Sequence, residues 1–224
     1  MKISSGTLSI FKNFATINEG IYVKAGNVIE TVSKQKNILA RAEVEDTFEE
    51  EFGIYDLNNF LGALSMVDPD IEFDNKQNIV LRGLSGRSRT NYRKANKENI
   101  LLVPDKKVNM DGAEIHFNVT AEDLVWVSRA ASQLGSPNMS FVSDGEKIGI
   151  ETFDSKDDSA STNHTTIGDS DGKRFRMVFS TENLRMIPGN YDVSISSRGI
   201  GHFKNAALKL EYWITTEPGS KYEG

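Results

Sequence analysis

The chain of 224 residues contains no cysteine, which excludes disulfide bonds, thiolate zinc sites and a cysteine nucleophile. No apolar run approaches the ~18–20 residues that a membrane-spanning helix needs. The first seventeen residues are interrupted by Ser, Lys and Asn, unlike the continuous apolar core of a signal peptide. We therefore expect a protein of a reducing compartment with no membrane partner.

Recognisable catalytic and metal-binding motifs are also lacking. The three histidines stand far apart, without the spacing of metal ligands: His116, His164 and His202. Residues 169–172 (DSDG) begin like a calcium loop, but Ser180 stands where such a loop needs its last glutamate, which favours a turn. The stretch GLSGRSR lacks the Gly-Lys-Ser/Thr of a phosphate-binding loop. The sequence predicts neither enzymatic activity nor a cofactor.

The net charge of −6 is unevenly distributed along the chain. Residues 82–107 carry only two acids but eight basic side chains: Arg82, Arg87, Arg89, Arg93, Lys94, Lys97, Lys106 and Lys107. Residues 43–51 (EVEDTFEEE) instead gather six carboxylates. Either run could simply be a solvated face, or each could direct a charged partner, and the sequence leaves both interpretations open.

The order of predicted elements repeats in the two halves of the chain. The first half is predicted to contain a helix, a hairpin bending at Ala-Gly-Asn, alternating strands, a second helix and further strands: 7–17, 20–33, 38–54, 57–67, 71–73 and 79–81. The second half is predicted to contain a helix between Thr120 and Gly135, a hairpin at Asp144-Gly145, a strand, a short helix and two more strands: 121–134, 138–154, 174–179, 180–187, 191–196 and 207–215.

Two dipeptides recur at matching positions of this repeat. Glu30-Thr31 matches Glu151-Thr152, and Asn59-Phe60 matches Asn183-Leu184. The sequence therefore predicts an α+β fold with two similar domains of antiparallel sheet and two helices each. The expected domains are 1–100 and 113–224, joined by a connector at 101–112, which includes Pro104 and Gly112.

The predicted helices share an unusual shortage of carboxylates. The helix at 57–67 has no charged residue, and each of the other three has one basic residue: Lys12, Arg129 and Arg185. Their acids occur only near the first turns, where the helix dipole favours them. Such faces suit contact with DNA phosphates without reading of bases. Partial burial in a protein interface is the alternative explanation.

Four segments carry a resemblance to a known family: Phe11–Gly26, Ile54–Val67, Ala121–Ala130 and Met186–Ile195. Over nearly its full length the chain resembles the DNA polymerase sliding clamps of T-even-type bacteriophages. The resemblance implies a DNA clamp fold and a homotrimer whose six similar domains close a ring around double-stranded DNA. It further implies a location in the host cell cytoplasm. Its implied partners are the DNA polymerase, an ATP-driven clamp loader, late-transcription factors and host RNA polymerase.

The resemblance also suggests site residues. Side chains expected to face DNA, from the helices and the basic run, are Lys12, Asn58, Asn59, Arg82, Arg87, Arg89, Arg93, Arg129 and Arg185. The connector and the C-terminal strand are expected to frame an apolar pocket for the C-terminal peptides of partners: Leu101, Leu102, Val103, Met110, Trp213 and Ile214. Ordinary core packing between domains is the alternative explanation for this second set.

The basic run at 86–97 departs from the family pattern. It either extends toward DNA at the mouth of the ring or meets an acidic neighbouring subunit. Two other functions compete with the clamp: an oligomeric β-rich phage structural protein, and a static DNA-binding protein that uses this run as an arm. A static binder would hold short linear duplex with strong, salt-sensitive affinity, whereas a clamp would bind it very weakly.

Overall fold

The computed structural model describes residues 2–66, 70–74, 77–83, 87–106 and 108–224. The chain divides into two compact units. Unit 1 comprises Met1–Lys106 with Leu208–Leu210, and unit 2 comprises Lys107–Ala207 with Glu211–Gly224. Each combines antiparallel strands with α-helix, which confirms the predicted α+β class. Among the described residues, no helix has both the length and the apolar character needed to cross a bilayer.

In its described residues, unit 1 has two α-helices and seven strands. In chain order these are α1 (Ser5–Ile17), β1 (Ile21–Val23), β2 (Gly26–Val32), β3 (Ile38–Phe48), β4 (Phe52–Ile54), α2 (Leu57–Ser65), β5 (Asp70–Asp74), β6 (Asn78–Arg82) and β7 (Arg89–Arg93). Strand β1 pairs with β4, β2 pairs with β3, and β5, β6 and β7 form a sheet in that order. All of these pairs are antiparallel.

Both helices of unit 1 begin at side-chain caps. The Ser4 hydroxyl accepts a hydrogen bond from the backbone N–H of Thr7 at 3.1 Å, and the Asp56 carboxylate accepts one from that of Asn59 at 2.9 Å. The two helices pack against each other. Each buries one apolar stripe at helical spacing: Ile10, Phe11, Phe14 and Ile17 in α1, and Leu57, Phe60 and Leu64 in α2.

Over its described residues, 108–207 and 211–224, unit 2 has one α-helix among its strands. In chain order the elements are β8 (Ile115–Val119), α3 (Ala121–Leu134), β9 (Asn138–Asp144), β10 (Lys147–Phe153), β11 (Asn163–Asp169), β12 (Arg174–Ser180), β13 (Tyr191–Ser196), β14 (Ile200–Asn205), β15 (Leu210–Thr215) and β16 (Lys221–Tyr222). One sheet has the order β11-β10-β9-β12-β16. The other runs β15-β14-β13-β8.

The core of unit 2 contains a cluster of aromatic rings: Phe117, Phe141, Phe175, Phe179 and Phe203. Neighbouring ring centroids lie 4.8–6.4 Å apart. Phe141, Phe179 and Phe203 are fully buried. Strands from both sheets contribute to this cluster, so it joins the two layers of the unit.

Helix α3 has the ends that the sequence predicts. Thr120 and Asp123 form a capping box, in which each side chain accepts a hydrogen bond from the backbone N–H of the other residue. Gly135 ends the helix in the left-handed conformation at φ +64°. The predicted turn at Asp144-Gly145 is also confirmed, with Gly145 at φ +97° between β9 and β10.

The first predicted hairpin is wrong. Strand β1 pairs with β4, with Ile21 opposite Ile54, and not with β2. The pairing places three buried residues of β4 beside the buried Ile21 and Val23. Gly26 at φ +117° then redirects the chain into β2, a backbone conformation that glycine adopts without steric cost.

The predicted fourth helix is also wrong, and only a 3-10 turn at Thr181–Asn183 forms there. The chain after this turn is held by tertiary hydrogen bonds. The backbone N–H of Ile187 donates to the Tyr212 hydroxyl at 3.1 Å, and the Tyr191 hydroxyl donates to the Ile187 carbonyl at 2.5 Å. Pro188 cannot extend a helix through its own nitrogen. The described part of unit 2 thus has one α-helix where two were expected.

Within the basic run, where the sequence predicts no strand, Arg89–Arg93 forms strand β7. Tyr92 of this strand packs edge-on against Phe60 of α2, with ring centroids 5.1 Å apart. The Tyr92 hydroxyl donates to the Asp56 carbonyl at 2.9 Å. These contacts fix the strand despite its charge. Helix α2 was predicted to reach Val67, which lies outside the described residues.

Candidate nucleic-acid interface

The exposed faces of α1 and α2 lack carboxylates. In α1 the exposed residues include Ser9, Lys12 and Thr16, and Lys12 is the helix's one charge. In α2 the exposed residues include Asn58, Asn59, Gly62 and Ser65. The Asp56 carboxylate lies at the start of α2, where it caps the helix. The two packed helices therefore present a neutral-to-positive surface of small polar side chains.

Helix α3 presents a similar face in unit 2. Ser128, Arg129 and Ser132 are exposed along its middle and last turns. Both of its acids lie in the first turn, and the Asp123 carboxylate accepts hydrogen bonds from the N–H and hydroxyl of Thr120 at 3.0 and 2.6 Å. Arg129 is thus the charged group that the body of this helix offers to a ligand.

A groove of about 350 Å³ runs beside Arg129, between α3 and residues 184–188. Its lining is mainly apolar: Leu124, Val125, Val127, Ser128, Arg129, Ser132, Gln133, Leu184, Met186 and Pro188. The groove was not predicted, because residues 180–187, part of which forms one of its walls, were expected to be a helix. Pro188 was the sequence signal against that helix, because a proline disfavours the helical conformation in the residue before it.

Arg185 lies next to this groove but not on a helix. It follows the 3-10 turn, and its Nε donates to the Glu182 carbonyl at 2.8 Å. Its neighbours Leu184 and Met186 line the same groove as Arg129. The segments that contain Arg129 and Arg185 therefore lie beside the same groove in unit 2.

The arginines of the basic run do not share a surface with α2. Strand residues alternate between the two faces of a sheet, and Tyr92 of β7 points toward the helix. Arg89 and Arg93 therefore lie on the opposite face, as does Arg82, which is directly opposite Arg89 in the register. Arg82 Nε lies 2.8 Å from the Glu72 carboxylate. Arg87 is exposed just before β7.

The predicted peptide-pocket residues are divided between the units. Leu101, Leu102 and Val103 belong to unit 1, where the two leucines are 37% and 39% exposed. Met110 is half-buried in unit 2. Ile214 is fully buried in the core of unit 2. This corrects the prediction for Ile214, because a strand residue that points into the core cannot offer its side chain to a peptide.

Trp213, the neighbour of Ile214, lies on the other face of β15. Its ring stacks on the imidazole of His202, with centroids 4.7 Å apart and planes 7° from parallel. Burial lowers the pKa of His202, although the Glu211 carboxylate lies 3.4 Å from its Nε2. The neutral imidazole is therefore favoured near pH 7, and the pair forms a flat, mainly apolar surface.

The described parts of the chain contain no cluster of three or more His, Asp or Glu side chains that could hold a metal ion. The DSDG segment forms the predicted turn after β11, with Gly172 at φ +96°. There the Lys173 ammonium contacts the Asp171 carboxylate at 2.5 Å. The carboxylates of this turn are thus engaged by neighbouring lysines.

Two family models match the chain. Residues 4–102 match the DNA polymerase processivity factor family, and residues 116–218 match the C-terminal domain of the gp45 sliding clamp. The sliding clamp of Vibrio phage KVP40 is 33% identical over 97% of this chain and 99% of its own length. The sliding clamp of Enterobacteria phage T4 is 33% identical over the whole of both chains.

Solved clamp structures share the fold at low sequence identity. The structure of A. fulgidus PCNA with the C-terminal region of FEN-1 covers 96% of each chain at 13% identity, with a TM-score of 0.70. The β chain of Streptococcus pneumoniae DNA polymerase III covers 96% of this chain and 63% of its own, at 12% identity and a TM-score of 0.69. The fold is therefore the DNA clamp fold. The chain belongs to the sliding clamp family of phage DNA polymerase processivity factors, which are scaffolds and not enzymes.

Proposed function

We propose that this sliding clamp assembles as a head-to-tail homotrimer whose ring encircles double-stranded DNA and tethers the phage DNA polymerase. The observation that carries the proposal is the absence of Asp and Glu beyond the first turn of α1, α2 and α3, in a chain of net charge −6. Helices that line a hole for DNA must not repel phosphates. The acids of this chain lie instead in strands and loops, such as residues 43–51.

In this proposal the side chains that face DNA are Lys12, Asn58, Asn59, Arg129 and Arg185. Sparse positive charge among neutral amides gives weak, sequence-independent contact with the backbone. Tight binding would hold the clamp in one place, whereas enclosure separates retention on DNA from affinity for it. The ring can therefore stay on the duplex and still slide.

The further partners proposed for this chain are an ATP-driven clamp loader, late-transcription factors and host RNA polymerase, in the host cell cytoplasm. The resemblance to T-even-type clamps supports these partners. A closed ring must also be opened before it can surround DNA, which is the role proposed for the clamp loader. The A. fulgidus PCNA structure, with the C-terminal region of FEN-1 bound, supports capture of short peptide segments by clamps in general.

The first test is the solution mass by light scattering across a dilution series. The 24.9 kDa chain is expected to give about three times that mass at high concentration and to dissociate on dilution. The trimer should then be retained on closed circular DNA after loading and be lost when the circle is cut. A monomer at high concentration would overturn the ring.

The exposed Leu102 should contribute to capture of a partner's C-terminal peptide. Leu102→Ala is expected to weaken binding of the polymerase's C-terminal peptide about tenfold, because it removes an apolar side chain that the peptide would bury. Calorimetric titration measures the affinity. Leu208→Ala is the control, since Leu208 is similarly exposed at 43%. Unchanged affinity in Leu102→Ala would place the peptide elsewhere.

A further inference from the structure

Helix α3 of unit 2 has an apolar flank that is open to a partner. In unit 1, α1 and α2 pack against each other, and every large apolar side chain of the two helices is buried or half-buried. In unit 2, a 3-10 turn at Thr181–Asn183 stands where the order of elements places the second helix. Val125 of α3 is 38% exposed. The described part of unit 2 therefore lacks the helix that would cover this flank.

The groove of about 350 Å³ beside α3 suits the side chains of another helix. Ser128 and Ser132 of α3 line it one turn apart, and the half-buried Leu184 and Met186 line its other side. Two helices pack when the side-chain ridge of one enters the groove between side-chain rows of the other, and small serines leave such a groove deep. A whole helix is ~10–12 Å across, so only its apolar side chains enter, while its backbone lies outside.

The wall of the groove formed by residues 184–188 is fixed from behind. The buried Tyr191 and Tyr212 bind the carbonyl and the N–H of Ile187 through their hydroxyls. Burial raises the pKa of Tyr191 to about 12, so its hydroxyl stays protonated and able to donate near pH 7. A Cβ added at Gly189 would lie only 2.4 Å from the Asn205 amide nitrogen, which shows how closely the chain packs there. A partner therefore binds a wall that is already ordered.

The charges of the groove indicate the charges of its occupant. Arg129 has uncharged neighbours one turn away, Val125 and Gln133, and no acidic side chain of the described residues is in ion-pair contact with it. The groove continues at the C-terminal end of α3 into a wider depression, whose charged lining residues are Asp154, Lys156, Glu182 and Glu217. An occupant with a carboxylate at the first place and a basic side chain at the second matches both charges.

We infer that this groove binds an amphipathic helix of a protein partner, with the helix's apolar stripe against α3, a carboxylate paired with Arg129 and a basic side chain toward Glu182 and Glu217. The groove shares no residue with the peptide pocket expected at the connector and the C-terminal strand.

One consequence rests on the proposed function. Arg129 is also proposed to face DNA, and one guanidinium cannot pair with the partner's carboxylate and a DNA phosphate at the same place. The partner helix and the enclosed duplex therefore compete, and the partner binds the clamp when it is free of DNA.

The test uses two helical peptides of about fifteen residues, each labelled with an uncharged dye. The first has leucines at helical spacing, a glutamate beside them near one end and a lysine near the other. The second has lysine in place of the glutamate. Fluorescence anisotropy with the full-length protein should show about fivefold tighter binding of the glutamate peptide, and Arg129→Glu should reverse this preference.

A second pair of variants tests the apolar contact. Val125→Ser is expected to weaken binding of both peptides about tenfold, because it removes an apolar side chain that the partner helix would bury. Leu134→Ser is the matched control, since Leu134 is similarly exposed at 40% on the same helix but does not line the groove. Its affinity for both peptides should be unchanged.

Several outcomes would overturn the groove as a helix site. These are no saturable binding of either peptide, a charge preference that Arg129→Glu leaves unchanged, and equal losses in Val125→Ser and Leu134→Ser. Unchanged peptide affinity in Val125→Ser with reduced retention on circular DNA would also overturn it and make the groove a DNA contact.

The competition with DNA has its own measurement. The clamp loaded onto closed circular DNA should bind the glutamate peptide at least about tenfold more weakly than the free clamp. Equal affinity in the two states would overturn the competition. Failure of the unchanged protein to form a trimer would overturn the proposed function instead, and would leave the peptide result standing, because the groove lies within unit 2 of a single chain.

Discussion

Replacing Lys12 and Arg129 together by glutamate is expected to shorten the DNA synthesised per binding event at least about tenfold. Each subunit would exchange two positive side chains for two negative ones on exposed helix faces. Carboxylates near the phosphates would repel the duplex. Primer extension with the phage polymerase and an excess of competitor DNA measures processivity.

Two controls show whether position or net charge is responsible. Lys204→Glu makes the same kind of change on an exposed residue of β14, outside the helices, and should leave processivity unchanged. Light scattering should show an intact trimer for the double variant. Loss of the trimer would assign Lys12 and Arg129 to an interface. Equal losses in Lys204→Glu would mean that only total charge matters.

Phe141→Ala is expected to lower the free energy of unfolding by about 3–5 kcal/mol, the loss typical of a large cavity in a core. Phe141 is fully buried, and its ring lies 4.8 Å from that of Phe117 and 6.0 Å from that of Phe179. These rings come from strands of both sheets of unit 2. Urea unfolding followed by circular dichroism gives the change from the shift in midpoint at constant slope.

Phe153→Ala is the matched control for this prediction. Phe153 is half-buried at the end of β10, and its ring lies 4.5 Å from the guanidinium of Arg176. Its removal should cost much less, because water can refill the space and no closed cavity remains. Similar losses for the two variants would show that the aromatic cluster does not dominate the stability of the unit.

Three of the four predicted helices form, and α3 matches its predicted bounds. Helix α3 has its cap and its acids at its first turn and its glycine stop directly after its last residue, so local interactions define both ends. Strand β13 likewise spans the predicted residues Tyr191–Ser196, since its buried positions alternate with polar ones. In these segments the local pattern and the tertiary environment favour the same structure.

Strand β11 shows why other elements escaped prediction. Its sequence NHTTIGD has a single aliphatic residue, and β10 supplies the ladder that makes it a strand. In β14 the buried alternate positions include Gly201 and the polar Asn205, so burial does not follow hydrophobicity. The fourth predicted helix failed for the same kind of reason, because tyrosines distant in sequence hold that segment.

The carboxylate-free helix faces follow from the sequence alone, since helical spacing separates Leu57, Phe60 and Leu64 from the polar Asn58 and Asn59 without reference to any other element. The direction in which strand residues point depends instead on tertiary contacts. A strand's two faces are interchangeable until a contact fixes them. For β7 that contact is Tyr92 on Phe60, which places Arg89 and Arg93 on the face away from α2.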